Sequence, residues 1–361
     1  MKKITMIIVS FVVLLVVLLV VIVVSKVSSP VDSTNGTINN TTHWLDTSGE
    51  PIKAQGGNII KAGKYYYMVG VDFPSIGTVP TTDYAGYNAV KVYRSTDLAN
   101  WEFRSNVIYP GVSGWPTNLT DATKWVGRPS ILYNDSTNKY VLITHMEGAM
   151  VSATSDTPDG NYTYAKTMTL PKGVKGAPND ISCFQDGDNG YFVANIDQEE
   201  GARIAAIFKL TSDYLDFDSQ TFRDSVPYET EAYHLVKKDD LWYWFASGLY
   251  YWYSTPTSYR TSASLEGPWG AYQFVDTSPN QPIMWDKLDS FNTQHDFIIP
   301  VTGTQGTTYV YFGDTYSQYT GIGDRYNAAF PITWNGTVPV LNGYEQWQID
   351  TAAGTWSVAE E

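Results

Sequence analysis

Cysteine and histidine are scarce in this chain of 361 residues, which limits how it is stabilised and what it binds. The single cysteine, Cys183, cannot form a disulfide within the chain, so stability must come from a packed core. The four histidines, His43, His145, His234 and His295, are scattered and lack the Cys/His spacing of a metal site. We therefore expect no metal cluster and no cofactor, and the sequence leaves open a structural calcium ion.

Basic residues are also few, with 23 Lys and Arg against 37 Asp and Glu. The formal net charge of −14 at pH 7 repels phosphates, which argues against a nucleic-acid partner. We expect a monomer whose ligand is neutral or weakly charged.

The N-terminus carries an uncharged apolar run at residues 4–24, which is long enough to span a bilayer. No clear cleavage site follows, so we predict a transmembrane signal anchor at residues 1–26 in preference to a removed signal peptide. The Ser/Thr/Asn-rich residues 27–44 predict a flexible stalk. Residues 27–361 would then face the lumen or the exterior of the cell. There, six Asn-x-Ser/Thr sequons are candidates for glycosylation: Asn35, Asn39, Asn118, Asn134, Asn161 and Asn335.

A short module repeats along the remaining chain. Each copy is an aromatic, β-prone run that leads to a Ser/Thr-Asp turn or a Gly-Pro-Trp turn, or to a last strand pair. The five runs begin at Lys64, Lys139, Gly190, Leu241 and Thr308. Short strands that recur with turns and without helical periodicity are typical of β-propellers, whose blades bury their faces against one another. We predict an all-β, five-bladed β-propeller at residues 45–361. The alternative is a β-sandwich, which seldom reaches this length as one domain.

Polar residues stand at the predicted starts of three blade strands, in segments 177–182, 230–235 and 291–297. Strands of a propeller converge on its central channel, so these carboxylates and amides are the candidates for chemistry.

An ordered set of segments resembles glycoside hydrolase family 43, and most closely its exo-β-1,3-galactanase branch. The similar stretches include Gln55-Gly56-Gly57, Arg128-Pro129-Ser130, Asn179-Asp180-Ile181, Glu231-Ala232, Ser247-Gly248 with Trp252, Asn292-Thr293-Gln294 and Gly313-Asp314. The resemblance implies a five-bladed propeller that hydrolyses a β-linked galactan-like polysaccharide from its end, with inversion.

The resemblance also implies roles for individual residues. Glu231 would be the general acid, Asp180 would tune its pKa and orient it, and Gln294 would hold the attacking water. Trp252 would be the platform on which the sugar stacks. Inversion requires the acid and the water-directing group to stand roughly 6.5–9.5 Å apart, so that water fits between them. Gln55, Asn195 and Asp314 complete the set as predicted substrate-binding residues.

Two departures from the branch leave an alternative open. Gly127 stands where a glutamate usually precedes the Arg-Pro pair, and Gln55 replaces a histidine. Either another group, such as Asp72 or Glu147, contacts the sugar, or the protein is a membrane-tethered propeller that binds glycans without cutting them.

Overall fold

The structure, a computed structural model, describes residues 33–74, 86–197, 203–249, 254–278, 290–315 and 326–358. Residues Thr34–Glu361 belong to one compact unit. All named elements within the described ranges are β-strands, and these ranges hold no helix that is long and apolar enough to cross a membrane. The transmembrane helix predicted at residues 1–26 falls outside the described residues.

The strands are numbered in chain order. They are β1 (Asn35–Asn39), β2 (Gln55–Ala62), β3 (Tyr65–Asp72), β4 (Ala89–Ser95), β5 (Glu102–Ile108), β6 (Val126–Asn134), β7 (Lys139–Met146), β8 (Ala149–Ser155), β9 (Thr163–Thr167), β10 (Ala177–Asp186), β11 (Asn189–Asp197), β12 (Arg203–Leu210), β13 (Phe217–Arg223), β14 (Thr230–Lys238), β15 (Leu241–Gly248), β16 (Ser258–Ser262), β17 (Gln273–Phe274), β18 (Asp276–Thr277), β19 (Gln294–Thr302), β20 (Thr307–Thr315), β21 (Tyr326–Asn335), β22 (Val338–Leu341), β23 (Gln346–Asp350) and β24 (Thr355–Val358).

Consecutive strands pair antiparallel into blades, as expected for a propeller. The first four blades are the quartets β2 to β5, β6 to β9, β10 to β13 and β14 to β17. The fifth blade contains β19 to β22, and β18 adds to its outer edge by pairing parallel with β22. Each aromatic run of the sequence lies in the second strand of one of these five blades, with its large side chains mostly buried.

The prediction of five blades is wrong, because the described residues form six sheets. The sixth is a three-stranded blade in the order β1-β23-β24, in which β1 pairs antiparallel with β23. Two of its strands, β1 and β23, come from opposite ends of the described chain, so no local repeat in the sequence marks this blade. Strand β1 also lies within residues 27–44, for which the composition predicts a stalk.

The hydrophobic core lies between neighbouring blades. Ile38 and Trp347 of the sixth blade pack in one cluster with Trp101, which directly precedes the fourth strand of the first blade, and with Phe312 of the fifth. Asn40 stabilises the contact between the fifth and sixth blades, because its Nδ2 donates hydrogen bonds to the backbone oxygens of Ala329 (2.8 Å) and Tyr344 (3.0 Å). Burial between blades, together with buried hydrogen bonds, therefore replaces the disulfides that the chain cannot form.

Candidate active site

The first strands of four blades begin with the same irregularity. Their pairing register shifts between Gln55 and Asn58, Gly127 and Ser130, Asn179 and Ser182, and Glu231 and His234. In each case the second residue of the bulge has a positive φ: Gly56 (63°), Arg128 (47°), Asp180 (46°) and Ala232 (55°). A left-handed conformation costs a residue other than glycine about 1–3 kcal/mol, so strain is concentrated here. We call Gln55, Gly127, Asn179 and Glu231 the bulge-start residues.

A cavity of about 680 Å³ opens where these bulges converge. Its wall contains the bulge-start residues Gly127, Asn179 and Glu231, together with Arg128, Asp180 and Gln294 from the same or neighbouring strands. Further lining comes from Gly56, Phe73, Trp125, His145, Glu147, Gly148, Arg203 and Leu249. The cavity thus brings together the three residues predicted to be catalytic: Glu231, Asp180 and Gln294.

Glu231 is a buried carboxyl group in this wall. Its Oε1 accepts a 2.8 Å hydrogen bond from Gln294 Nε2, and its Oε2 lies 3.5 Å from Arg203 Nη1. The pKa of Glu231 is raised to about 9: burial contributes most, the negative charge and hydrogen bond of Asp180 act in the same direction, and Arg128 and Arg203 oppose them. Glu231 therefore carries a proton near neutral pH, as a general acid must.

Asp180 is held beside Glu231 by two arginines. Its Oδ1 lies 3.3 Å from Arg128 Nε, and its Oδ2 lies 4.0 Å from Arg203 Nη1. Arg128 also contacts the buried Asp296, with 3.2 Å between Nη1 and Oδ1. The side chain of Asp180 is thereby fixed where its charge acts on Glu231.

The expectation of a wide gap between Glu231 and Gln294 is wrong. The two side chains are joined by a direct hydrogen bond of 2.8 Å, because β14 and β19 begin side by side in adjacent blades. A water molecule does not fit between these two atoms. If Gln294 directs water, it does so from a position next to the acid.

Comparison with known proteins assigns this arrangement to a family. The sequence matches the family model described as Glycosyl hydrolases family 43 over residues 50–338, which is most of the chain. The chain belongs to glycoside hydrolase family 43. The resemblance seen in the sequence is confirmed, and the protein is a glycosidase.

Two solved structures resemble this family 43 protein closely in fold. An exo-β-1,3-galactanase from Clostridium thermocellum superposes with a TM-score of 0.74 at 28% identity, covering 90% of this chain and 69% of the other. An exo-β-1,3-galactanase from Phanerochaete chrysosporium, solved with galactose, gives a TM-score of 0.75 at 25% identity, with coverages of 90% and 71%. A search of curated protein sequences finds no significant match.

The other predicted residues of the family 43 site lie behind the cavity wall or outside the described ranges. Asn195 is fully buried, where its Nδ2 donates to Thr230 O (3.2 Å) and its Oδ1 accepts from Tyr233 Oη (2.8 Å). It therefore holds the residues that flank Glu231 and is not exposed to a sugar. Trp252 lies outside the described residues.

Asp314 supports the first bulge, which begins at Gln55. Asp314 Oδ2 accepts a 2.7 Å hydrogen bond from Gly56 N, and its Oδ1 accepts one of 2.8 Å from Asn327 Nδ2. Gln55 is buried, and among the described residues its Nε2 finds no hydrogen-bond partner. Gly56, which follows it, is the member of this bulge that lines the cavity.

Arg203 and Trp125 are among the wall residues that sequence reasoning missed. Arg203 is the first residue of β12, and the residues between it and Lys209 are apolar. A charged residue at the start of such a strand could have marked Arg203 as a site residue. Trp125 precedes β6, and its ring stacks on Phe73 with centroids 5.2 Å apart and an interplanar angle of 14°. No sequence pattern joins residues 73 and 125.

The described part of the chain holds no group of three or more His, Cys, Asp or Glu side chains placed to bind a metal ion. His145, in the cavity wall, accepts a 3.0 Å hydrogen bond at Nε2 from Gly148 N. Burial lowers the pKa of His145, so this ring is a neutral acceptor.

Proposed function

We propose that this family 43 glycosidase removes galactose units from the end of a β-linked galactan by inverting hydrolysis. The observation that carries the proposal is the buried Glu231, held between Asp180 and Gln294 in the cavity wall, where its pKa is raised. The resemblance to the two exo-β-1,3-galactanases supports the choice of a β-1,3-linked galactan as substrate.

In this mechanism Glu231 donates its proton to the glycosidic oxygen as the bond between that oxygen and the anomeric carbon breaks. Water attacks the anomeric carbon from the opposite face and gives up a proton to the surrounding solvent, which yields the inverted hemiacetal. Asp180 stabilises the protonated form of Glu231 before the reaction. In the structure the hydrogen bond from Gln294 fixes the orientation of the acid. We propose that a bound sugar separates the two side chains and that the Gln294 amide then orients the water on the opposite face.

The test is hydrolysis of β-1,3-galactan by the purified protein, with products separated by size and their anomeric form followed by NMR. We expect galactose as the first product, released in the inverted configuration. Longer oligosaccharides as first products would contradict exo action, and retained configuration would contradict inversion. A panel of xylan, arabinan and β-1,4-galactan serves as the control for linkage and sugar.

A second candidate function is glycan binding without turnover. The direct contact between Glu231 and Gln294 favours it, because no water fits between the two groups predicted to flank the reaction. The glycine at the bulge-start position of the second blade also favours it, since that strand supplies no carboxylate there. Binding of β-1,3-galactan without any product over hours would select this alternative.

The cellular location rests on the sequence alone. We propose that the apolar run at residues 4–24 carries the propeller across a membrane, where it stays tethered. Fractionation and N-terminal sequencing of the mature protein test this, and a first residue beyond about position 26 would contradict tethering.

Glycosylation of the exported domain is part of the same proposal. Asn134 is the sequon least suited to it, because it is buried and its Nδ2 donates to Ser212 O (2.8 Å).

A further inference from the structure

Gly127 breaks the pattern of the bulge-start residues. The other three positions carry the polar side chains of Gln55, Asn179 and Glu231, whereas the second blade offers none. The space is filled by the indole ring of Trp125: a Cβ added to Gly127 would lie 2.9 Å from Cζ2 and 3.0 Å from Nε1 of that ring. The aromatic ring therefore replaces a side chain of β6 in the cavity wall.

Glu147 stands next to this ring in an unusual turn. The loop between β7 and β8 has two residues, Glu147 (φ 46°) and Gly148 (φ 79°), both with positive φ as in a type I′ turn. Asn or Asp is the usual residue at the first position of such a turn, and glutamate is strained there. Backbone strain of this kind is retained where the side chain has a function other than forming the turn.

Backbone hydrogen bonds fix the carboxylate of Glu147 beside Trp125. Trp125 N donates to Glu147 Oε2 (3.0 Å), and Glu147 N donates to Trp125 O (2.9 Å). Lys124 Nζ lies 3.5 Å from Oε1, and the side chain remains 46% exposed. Both Trp125 and Glu147 line the cavity that contains Glu231. The carboxylate is thus anchored and still accessible to a ligand.

Asp72, the other acidic residue considered as a replacement sugar contact, is engaged elsewhere. Its carboxylate is buried, lies 2.7 Å from Lys91 Nζ and 3.8 Å from Lys53 Nζ, and accepts a hydrogen bond from Asn88 Nδ2 (3.1 Å). It does not line the cavity within the described residues. Of the two acidic residues considered as sugar contacts, Glu147 lines the cavity and Asp72 does not.

We propose that Trp125 and Glu147 together form a galactose-binding wall that determines which sugar the cavity accepts. The indole ring would pack against the apolar face of the sugar, and the carboxylate would accept hydrogen bonds from its hydroxyl groups. The proposal rests on the proposed function for its choice of galactoside.

The decisive variant is Glu147→Asn, because asparagine suits the turn but removes the carboxylate. We expect kcat/KM on β-1,3-galactobiose to fall about 10- to 100-fold, because the variant loses one or two charge-assisted hydrogen bonds to the sugar. The melting temperature should stay equal or rise, since the strain of the turn is relieved. A merely structural glutamate would give a lower melting temperature and unchanged kcat/KM, which would overturn the proposal.

Asp239→Asn is the matched control. Asp239 also begins a two-residue hairpin loop, has a φ of 53°, and loses a carboxylate in the same substitution, but it does not line the cavity. We expect its kcat/KM to stay within twofold of the wild type. Trp125→Ala should lower the affinity for galactose about tenfold, whereas Trp125→Phe should keep most of it.

Titration with galactose, which has no glycosidic bond to cleave, separates this proposal from the proposed function. The wild type could hydrolyse no glycan and still bind galactose more tightly than Glu147→Asn does. That result would contradict the proposed hydrolytic function and support the galactose-binding wall. Equal affinity of the two proteins for galactose, or no binding by either, would overturn the wall. Hydrolysis by the wild type with unchanged kinetics in Glu147→Asn would overturn it as well.

Discussion

Gln294 Nε2 donates a 2.8 Å hydrogen bond to Oε1 of Glu231, which joins the fifth blade to the fourth in the wall of the cavity. The bond leaves Oε2 of Glu231 on the side of Arg203, 3.5 Å from its Nη1. An amide that donates to a carboxyl group orients it without changing its charge. The two residues therefore act as one unit, and substitution of either one affects the other.

The first prediction concerns Glu231→Gln, which keeps the shape of the side chain but cannot donate a proton to the leaving oxygen. We expect turnover of β-1,3-galactan to fall about 10²–10⁴-fold, with ligand affinity nearly unchanged. An aryl galactoside with a good leaving group should be hydrolysed with much less loss, since it needs little protonation. Equal losses on both substrates would contradict the acid role.

The second prediction is a stability effect of the same variant. A glutamate has a pKa of about 4.3 when unfolded, and the pKa of Glu231 in the fold is raised to about 9. Between these values the folded state binds more protons, so the stability of the wild type falls as pH rises. Glu231→Gln should therefore melt at a higher temperature than the wild type at pH 8, with the difference vanishing near pH 4. The same difference in melting temperature between the two proteins at every pH would contradict the raised pKa of Glu231.

The third prediction follows from the effect of Asp180 on the acid. The charge and hydrogen bond of Asp180 raise the pKa of Glu231. In the wild type, kcat/KM should decline as pH rises towards about 9, because the acid loses its proton. Asp180→Asn should shift this alkaline limb to lower pH in a pH–rate profile. An unshifted limb would show that Asp180 does not tune the acid.

The fourth prediction tests the role of Gln294. Gln294→Ala should lose most of the rate if the amide orients the acid and the water, with little change in melting temperature. Gln294→Glu would place two carboxyl groups in contact, where they share a proton, so a new ionisation should appear in the pH profile. An intact kcat in the alanine variant, with a lowered melting temperature, would assign Gln294 a structural role only.

The fifth prediction concerns the fit between Gly127 and Trp125. Gly127→Ala places a Cβ 2.9 Å from the indole ring, and we expect a stability loss of about 1–3 kcal/mol. The same substitution in a Trp125→Ala background should cost much less, which a double-mutant cycle measures. Gly270→Ala is the control, because its nearest neighbour, Thr261 O, is 3.7 Å from the added Cβ. Additive losses at 127 and 125 would contradict the contact.

The family and the all-β propeller fold could be predicted from the amino-acid sequence alone. The aromatic runs at residues 64–70 and 241–245, with their turns, are local patterns, and each forms the second strand of a blade. The motifs that contain Asp180, Glu231 and Gln294 lie at the starts of blade strands, and strand starts converge in a propeller. Their meeting in one cavity could therefore be predicted without coordinates.

The sixth blade and the detailed geometry of the site depend on contacts between distant parts of the chain. Strand β1 pairs with β23 across more than 300 residues, and such a pairing leaves no periodic signal in the chain. The direct bond between Glu231 and Gln294, and the burial of Asn195 behind them, depend on how adjacent blades pack. The indole ring over Gly127 likewise depends on a side-chain conformation. Local sequence specifies strands and turns, whereas distances of a few ångströms between blades are set by the packing of the whole core.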